Sequence, residues 1–225
     1  MGVIRLIKKV KTRELYKKVP EHIKLLFGDS TYPWEILPKI KSFTASIVGS
    51  GLDGYTKLSD NVLIGKNVKI ASNVVIEGPT IIGHGSEIRT GAFIRGSVIM
   101  GDGCIVGNST ELKNCILMDG VQVPHYNYIG DSILGYRAHT GAGTVCSNLK
   151  SDHSNIVIHG DAEYQTGLRK IGAFLGDFAD VGCNSVLNPG TIVGMNTNVY
   201  PLTALRGVYP ENCIVKGTDI VVKKR

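Results

Sequence analysis

The sequence predicts a parallel β-helix with a triangular cross-section, and three observations lead to this prediction. Large apolar residues recur at a spacing of six, which matches neither the 3.6-residue period of a helix nor the two-residue period of a flat strand. The positions two residues earlier are small or β-branched, and glycine often follows. A hexapeptide period is typical of a β-solenoid. The eleven large residues are Leu58, Ile64, Ile70, Ile76, Ile82, Ile88, Ile94, Met100, Val106, Leu112 and Met118.

Three hexads complete one coil of the predicted prism, so residues 18 apart become neighbours in adjacent coils. Adjacent coils are separated by one strand spacing of about 4.8 Å. The large and small rows point inward and fill the prism, while the Gly, Asn and Asp residues form its corners. A single coil cannot bury its own apolar face, and stability is therefore expected to be cooperative along the axis.

The first 45 residues lack the hexad and are predicted to form a helical extension or cap. Spaced apolar residues among lysines indicate one or two amphipathic helices over 2–28, interrupted at Pro20. Proline at position 33 favours the start of a second helical stretch. Trp34, the single tryptophan, is expected to plug the open end of the coil. Residues 46–225 form the predicted β-helix domain.

The hexad is interrupted at defined places. A step of five separates Met118 from Val123, and a second separates Ile129 from Leu134. The pattern breaks over about 147–170, which predicts an inserted loop, and it returns from Leu175. Loops that leave a regular solenoid often carry function. The tail from Ile220 is predicted to cap the far end or to form a basic patch.

Composition limits the classes of function. The chain has five cysteines without a CxxC pair, which indicates reduced thiols and neither disulfides nor a metal cage. No apolar run is long enough for a membrane span and no secretory signal is recognisable, so a cytoplasmic location is predicted. The net charge of +6 fits small anionic ligands such as phosphosugars and coenzyme A. Nucleic acid is disfavoured because aromatic residues do not alternate with Lys and Arg.

Three charged or titratable residues are candidates for chemistry. Arg95 and Lys113 are 18 apart and should stack on adjacent coils, where two like charges repel unless an anion or water lies between them. A phosphate clamp and a solvated basic stripe both fit this spacing. His125 follows Pro124 at the first five-residue slip, which predicts a surface position. Histidine is the side chain type best suited to act as a general base near neutral pH.

Residues 95–150 resemble a known family. The matching runs are 106–108 (VGN), 111–113 (ELK), 125–131 (HYNYIGD), 141–144 (GAGT) and Asn148, aligned without a gap. They are similar to the acetyltransferase half of the bifunctional N-acetylglucosamine-1-phosphate uridyltransferase/glucosamine-1-phosphate N-acetyltransferase, a hexapeptide-repeat acyltransferase with a left-handed β-helix. The likeness extends over about 58–205, and the uridyltransferase half is absent. The segment 166–173 (TGLRKIGA) resembles the archaeal members.

The resemblance implies a direct transfer from acetyl-CoA to a phosphorylated amino sugar, without a covalent enzyme intermediate or a metal. It also implies a homotrimer with active sites between subunits. His125 would take the proton from the amine, and Asn148 would orient the acetyl donor and the attacking nitrogen. The Ala142 N–H would face the developing oxyanion. Arg95, Lys113 and Tyr128 would hold the sugar phosphate.

Four positions depart from the family pattern. His139 stands where the family has an asparagine that touches the sugar, and Leu149 replaces a tyrosine beside Asn148. Cys183 and Pro201 occupy coenzyme-lining positions that are usually serine and alanine. The expected lysine after Asn148 is out of register, and Lys150 or Lys170 could replace it. These differences bear on the identity of the acceptor.

Two other functions fit parts of the sequence. A non-catalytic trimeric scaffold or regulatory partner of a separate sugar nucleotidyltransferase is favoured by the missing half and by the residues at 139 and 149. A zinc enzyme of the γ-carbonic anhydrase type shares the solenoid but needs closely paired histidines. The spacing of His84, His125, His139, His153 and His159 provides no such pair.

Overall fold

The computed structural model describes residues 9–217 and 220–224. It is a left-handed parallel β-helix of about nine turns, which confirms the predicted fold class. Each coil passes in order through three flat faces, here called face A, face B and face C. Parallel strands of successive coils pair along each face.

The strands are short because each face is only a few residues wide. Face A comprises Val62–Ile64, Thr80–Ile82, Val98–Met100, Ala173–Leu175, Thr191–Val193 and Val208–Tyr209, and Thr56–Ser59 joins its first strand in antiparallel. Face B comprises Lys69–Ile70, Glu87–Ile88, Ile105–Asn108, Gln122–His125, His139–Thr140, Asp180–Val181, Asn198–Val199 and Cys213–Gly217. Face C comprises Val75–Glu77, Phe93–Arg95, Val145–Cys146, Val186–Leu187 and Ala204–Leu205. Two longer strands, Glu111–Leu117 and Tyr128–Leu134, run from face C around a corner into face A.

The inward rows form the main core, as the hexad predicts. From Ile82 to Leu112 the large row is at most 1% exposed. Leu58 is an exception, because it lies in the antiparallel strand that precedes the first coil and is 48% exposed. Ile70 in the first coil is also 36% exposed. The row therefore becomes fully buried only after further coils stack on the first.

Corners are the places where the backbone turns with positive φ. Asparagine and glycine hold many of these positions, for example Asn73 at φ 58° and Gly91 at φ 76°. Close approach of coils also requires glycine: a Cβ on Gly107 would lie 1.4 Å from the Pro124 carbonyl oxygen. The corner composition is therefore dictated by backbone geometry.

The first slip lies one corner earlier than predicted. Leu117 pairs with Met100 in the inward row, whereas Met118 belongs to a second apolar cluster outside the prism. The five-residue step therefore runs from Leu112 to Leu117, around a corner where Asn114 has φ 46°. The second step, from Ile129 to Leu134, is confirmed, and it pairs in register with the first. The prediction was wrong because residues 116–118 are all apolar and periodicity cannot choose between them.

A column of outward apolar side chains covers face A. Its members pair directly across successive strands, and they are at most 4% exposed. They are Leu63, Ile81, Ile99, Ile116, Ile133, Phe174, Ile192 and Val208. The N-terminal segment and the insertion lie over this column and form the second apolar cluster with most of it.

Trp34 belongs to this outer layer, so the expected end plug is wrong. Its indole stacks on Tyr32 at 4.6 Å and approaches Phe174 of face A at 6.4 Å. The residue is 4% exposed. The N-terminal segment therefore packs against the outward apolar column of face A.

The N-terminal segment consists of short helical pieces. The α-helices are Thr12–Leu15, Lys24–Phe27 and Ile40–Ser50, and the 3₁₀ turns are Glu21–Ile23, Pro33–Glu35 and Leu37–Lys39. The predicted helices over 2–28 fall partly on residues 1–8, which lie outside the described residues. The predicted domain boundary at 45 falls inside the helix Ile40–Ser50. None of the helices in the described ranges is long and apolar enough to cross a membrane.

The insertion and the tail complete the molecule. The insertion contains an antiparallel hairpin, Val157–His159 with Glu163–Gln165. A bridge between Leu149 and Lys170 closes its neck. In the tail, the strand Ile220–Lys223 pairs antiparallel with Cys213–Gly217 and extends face B. Val221 packs against the main core, so this strand covers the C-terminal end.

Candidate active site

A buried carboxylate organises the corner between faces C and A. Asp131 is 5% exposed and adopts φ 47°. Its Oδ1 accepts a hydrogen bond from Asn114 Nδ2 at 2.8 Å, and its Oδ2 accepts one from Asn148 Nδ2 at 2.5 Å. Lys113 Nζ lies 3.4 Å from the same Oδ2. One negative charge thus fixes a lysine and an amide from the preceding coil and a second amide from the following coil.

Tyr128 joins this cluster from the face C strand. Its hydroxyl oxygen accepts a hydrogen bond from Asn148 Nδ2 at 3.2 Å. The ring lies over Gly130, because a Cβ added there would be 2.6 Å from the Tyr128 hydroxyl oxygen. Burial, and next the charge of Asp131, raise the pKa of Tyr128. The phenol therefore stays protonated at neutral pH and can donate to a ligand.

The structure brings together three of the predicted site residues, Lys113, Tyr128 and Asn148. Asp131, which joins them, was not singled out by the sequence, although it ends the HYNYIGD run. Its signal is weak because an aspartate at a turn is usually a solvent-exposed corner residue. Only the tertiary structure shows that this carboxylate is buried.

Arg95 and Lys113 each have a carboxylate partner, so the expected shared anion is not needed to relieve repulsion. Arg95 Nη1 donates to Glu111 Oε1 at 2.7 Å, a bond that raises the pKa of the guanidinium. Lys113 is held by Asp131. The strand register still places the two cations on neighbouring coils of face C. To bind either cation, a ligand phosphate would have to displace the carboxylate partner or share the cation with it.

His125 lies at the corner between faces B and C, while both slips lie at the corner between C and A. The residue is exposed, as predicted. Its carbonyl accepts a hydrogen bond from the Gly143 N–H at 3.0 Å. Three residues of strand, 128–130, separate this corner from Asp131, and they span about 10 Å. The imidazole and the Asp131 cluster therefore border face C from opposite edges.

The predicted coenzyme-lining residues stack below His125 along the same edge. Ala142 precedes Gly143, and its carbonyl accepts a hydrogen bond from the Asn184 N–H at 2.8 Å. The Cys183 carbonyl, in turn, accepts a hydrogen bond from the Leu202 N–H at 2.9 Å, next to Pro201. Among the described residues, the Ala142 N–H has no acceptor. All five cysteines are free, and only the Cys183 residue is exposed.

His139 lies apart from the Asp131 cluster. It pairs with Gln122 in the middle of face B, where its Nδ1 is 2.8 Å from Asp180 Oδ1. This contact is the main reason that the pKa of Asp180 is lowered. Asn198 Nδ2 donates to the other oxygen of Asp180 at 3.2 Å.

A cavity of about 630 Å³ opens beside Asn114. Its apolar wall comes from Leu37, Pro38, Leu149 and Leu168, and its polar wall from His153, Arg169 and Lys170. Of the two lysines expected to replace the missing family lysine, Lys170 lines this cavity. Lys150 instead donates to Ser154 Oγ and to the Asn155 carbonyl. The insertion thus closes one side of the site with a basic wall.

The neck of the insertion holds Asn148 in place. The Ile171 N–H donates to the Asn148 carbonyl at 3.1 Å, beside the Leu149–Lys170 bridge. The backbone at Asn148 is therefore tied to the residue at the far end of the insertion. Across the described residues, no group of three His, Cys, Asp or Glu side chains is arranged to hold a metal ion.

Comparisons with known proteins support the resemblance found in the sequence. The family model "GMPPB C-terminal domain" matches residues 76–162. A "Bifunctional protein GlmU" of Methanococcus maripaludis is 30% identical over 207 residues, which is 90% of this chain and 50% of that protein. A "Bifunctional sugar-1-phosphate nucleotidylyltransferase/acetyltransferase" of Sulfurisphaera tokodaii is 32% identical over 174 residues, 75% of this chain and 43% of that protein.

The chain thus spans about half the length of these relatives. Among solved structures, the acetyltransferase domain of PglB from Neisseria gonorrhoeae in complex with acetyl coenzyme A is 15% identical. It has a TM-score of 0.39, over 83% of this chain and 66% of that one. The sequence matches confirm the predicted resemblance to the bifunctional proteins, and acetyltransferase is the class that the Sulfurisphaera relative's name states.

Proposed function

We propose that this chain, a homologue of the bifunctional nucleotidylyltransferase/acetyltransferases, is an acetyl-CoA-dependent N-acetyltransferase. Its acceptor is a phosphorylated amino sugar such as glucosamine-1-phosphate. One observation carries the proposal: Asp131 gathers Lys113, Tyr128 and Asn148 beside a basic cavity large enough for a sugar phosphate. Three of the family's binding residues thus share one hydrogen-bond network.

The acceptor is proposed to lie on face C with its phosphate toward the basic wall. Lys113 and Tyr128 contact the sugar phosphate, with Arg169 and Lys170 as additional cations. Arg95 reaches the phosphate by exchanging Glu111 for it, since a guanidinium binds carboxylate and phosphate oxygens by the same geometry. His139 stays a weaker candidate for a sugar contact, because its imidazole is engaged with Asp180.

The acetyl donor is proposed to lie along the edge that carries His125, Ala142, Cys183 and Pro201. The free N–H of Ala142 is available to stabilise the oxyanion of the thioester adduct. His125 takes a proton from the sugar amine as the nitrogen attacks the acetyl carbonyl. Collapse of the adduct then expels the thiolate of coenzyme A. Asn148, which belongs to the Asp131 cluster at the opposite edge of face C, is proposed to orient the sugar that carries this amine.

We further propose that the protein is a homotrimer in which the coenzyme binds between subunits. Large apolar side chains are exposed at the edge between faces B and C, which also carries Cys183 and Pro201. Tyr126 is 64%, Tyr200 46% and Leu202 79% exposed. Contact with a second copy would bury them next to Cys183 and Pro201. This arrangement would enclose an otherwise open donor site.

Thiol release from acetyl-CoA in the presence of glucosamine-1-phosphate tests the proposal. The wild-type protein should release coenzyme A only when the amino sugar is present. His125→Ala should lower the rate by roughly 10²–10⁴, because the general base is lost. The matched control His84→Ala, at the edge between faces A and B, should keep the wild-type rate. An unchanged rate in His125→Ala would reject the role of this histidine.

The scaffold remains the second candidate, and the carboxylate partners of Arg95 and Lys113 favour it. Both cations are already neutralised without any ligand. Calorimetric titration with coenzyme A and with glucosamine-1-phosphate separates the two functions. Heat of binding for both ligands supports the enzyme, whereas no binding of either leaves the scaffold.

A further inference from the structure

Outward residues at the end of the face C strands form one continuous column. The strand pairs put them in register from coil to coil. The column runs through Glu77, Arg95, Lys113, Gly130, Ser147, Asn188 and Arg206. Its middle members are small or neutral, and its two regions of positive charge lie on either side of them. The first region contains the cations of the proposed acceptor site, and the second contains Arg206.

Arg206 differs from the other two cations in having no counter-ion. Arg95 and Lys113 are each bound to a carboxylate. Across the described residues, no side-chain partner accompanies the Arg206 guanidinium, and only its backbone N–H is engaged, with the Tyr209 hydroxyl at 3.2 Å. The donors of this side chain are therefore available to a ligand.

A second cavity of about 590 Å³ lies at Arg206. The insertion neck separates it from the 630 Å³ cavity beside Asn114, here called the acceptor cavity. Ser147 and Asn188 of the column line it, together with Lys150 and His159 of the insertion. Leu149 at the neck borders both cavities. The second cavity is thus a separate space that shares one wall with the first.

The charge of this cavity is positive. Among the described residues that line it, the cations are Arg206 and Lys150, and the single carboxylate is Asp152. Asp152 accepts hydrogen bonds from the Ser154 N–H at 2.9 Å and from Ser154 Oγ at 2.8 Å, which lower its pKa. Lys150 is bonded to the same turn, so it is held at the rim of the cavity. These contacts leave the positive charge of Arg206 uncompensated.

We propose that the second cavity binds a phosphorylated small molecule through its phosphate. Arg206 would hold two phosphate oxygens, and Lys150 would add a point charge. No Phe, Tyr or Trp is among the described residues that line it, so a nucleobase finds little surface for stacking. The ligand class is therefore a phosphate ester without an aromatic base. This site is independent of the acetyl transfer proposed above.

Titration of the protein with inorganic phosphate, followed by the amide resonance of Gly207, tests the site. Gly207 borders the second cavity and is absent from the first. In the wild-type protein the chemical shift of this resonance should change with added phosphate and reach a plateau. Arg206→Gln should raise the phosphate concentration at half-saturation about tenfold or more, as expected for loss of a charged hydrogen bond. Arg206→Lys should lose less affinity.

Two matched variants keep the test specific. Lys170→Gln alters the acceptor cavity, and Arg137→Gln removes an exposed arginine elsewhere; both should leave the Gly207 titration unchanged. The proposal is overturned if the Gly207 resonance of the wild-type protein does not respond to phosphate. It is also overturned if Arg206→Gln reaches half-saturation at the same phosphate concentration as the wild type. Since the readout is binding at Gly207, a failure of the acetyltransferase assay does not affect it.

Discussion

Asp131 carries its charge at a corner that solvent barely reaches, and the site depends on how that charge is satisfied. Its two oxygens accept from Lys113, Asn114 and Asn148. A buried carboxylate with one ion pair and two amide donors is tolerable because each of its oxygens has at least one donor. Removing the carboxylate would leave those donors unsatisfied.

Asp131→Ala should therefore lower the free energy of unfolding by about 1–3 kcal/mol, the cost of unpaired buried polar groups. Urea denaturation followed by circular dichroism measures this change. Asp60→Ala, at an exposed turn, is the control and should stay within about 0.5 kcal/mol of the wild type. Equal midpoints for the two variants would show that Asp131 contributes no net stability.

Asp177 is a second buried carboxylate, and it binds the N-terminal segment to the solenoid. It accepts from the Lys17 N–H at 2.8 Å, the Lys18 N–H at 3.3 Å and the Tyr136 N–H at 2.9 Å. Burial raises its pKa, although the three N–H donors oppose the shift. The folded protein therefore binds this proton more tightly than the unfolded chain.

This raised pKa predicts the sign of a pH effect. The contribution of Asp177 protonation to stability is complete below the ordinary aspartate pKa of about 3.9 and is lost as pH rises through the folded value. The free energy of unfolding of the wild type, minus that of Asp177→Asn, should therefore decrease from pH 3.5 to pH 7. Urea titrations across this range measure the difference. A constant difference, or one that grows with pH, would contradict the assignment.

At the scale of elements, the N-terminal segment acts as an outer layer on one flank of the prism. Trp34 is the largest side chain that this segment buries, between Tyr32, Tyr164 and Phe174. Through Tyr164 it also touches the inserted hairpin. The segment and the insertion are thus joined over face A by one aromatic cluster.

Trp34→Ala should lower the free energy of unfolding by about 3–5 kcal/mol, as for other large-to-small changes in a packed core. Chemical denaturation gives the value. Leu25→Ala is the comparison, because Leu25 is 88% exposed and its loss should cost no more than about 0.5 kcal/mol. If Trp34 only covered the end of a coil without tight packing, the two substitutions would have similar effects.

The inward rows could be predicted from the sequence because a six-residue period repeats many times in a short stretch. The outward column on face A could not, since it recurs once per coil and its period changes between Ile99, Ile116 and Phe174. Its spacing is interrupted by the insertion. Likewise, the contact of Leu149 with Lys170 joins residues on either side of that insertion, and no local pattern predicts it.

The candidate site shows the same division. Lys113 was found from its 18-residue spacing to Arg95, and Tyr128 and Asn148 were found through the motifs of the resemblance, which record residue types at fixed spacing. Asp131 and the basic wall at Lys170 emerge only when coils stack and the insertion folds back, because burial and counter-ions are properties of the tertiary structure. The carboxylate partners of Arg95 and Lys113 are likewise visible only in the tertiary structure.

At the scale of the whole molecule, the three edges and faces of the prism have different surfaces. Face A is covered by the N-terminal segment and the insertion. Face B carries a polar column that includes His139, Asp180 and Asn198. The edge between faces B and C exposes Tyr126 and Leu202 instead. Since large exposed apolar groups mark interaction sites more often than polar ones, this edge is the contact on which the proposed trimer would be built.

Leu202→Asp tests the proposed trimer at this edge. Leu202 has φ 59°, a conformation that aspartate tolerates, so the substitution changes the contact more than the backbone. Burying a leucine contributes about 1.5–3 kcal/mol, so each contact should weaken about tenfold or more. Light scattering should give three times the 24.2 kDa of one chain for the wild type and a smaller mass for the variant. Leu25→Asp, on the N-terminal segment, should assemble like the wild type. A wild-type mass of one chain, or full assembly of Leu202→Asp, would exclude a trimer built on this edge, and the donor site would then have to be completed within a single chain.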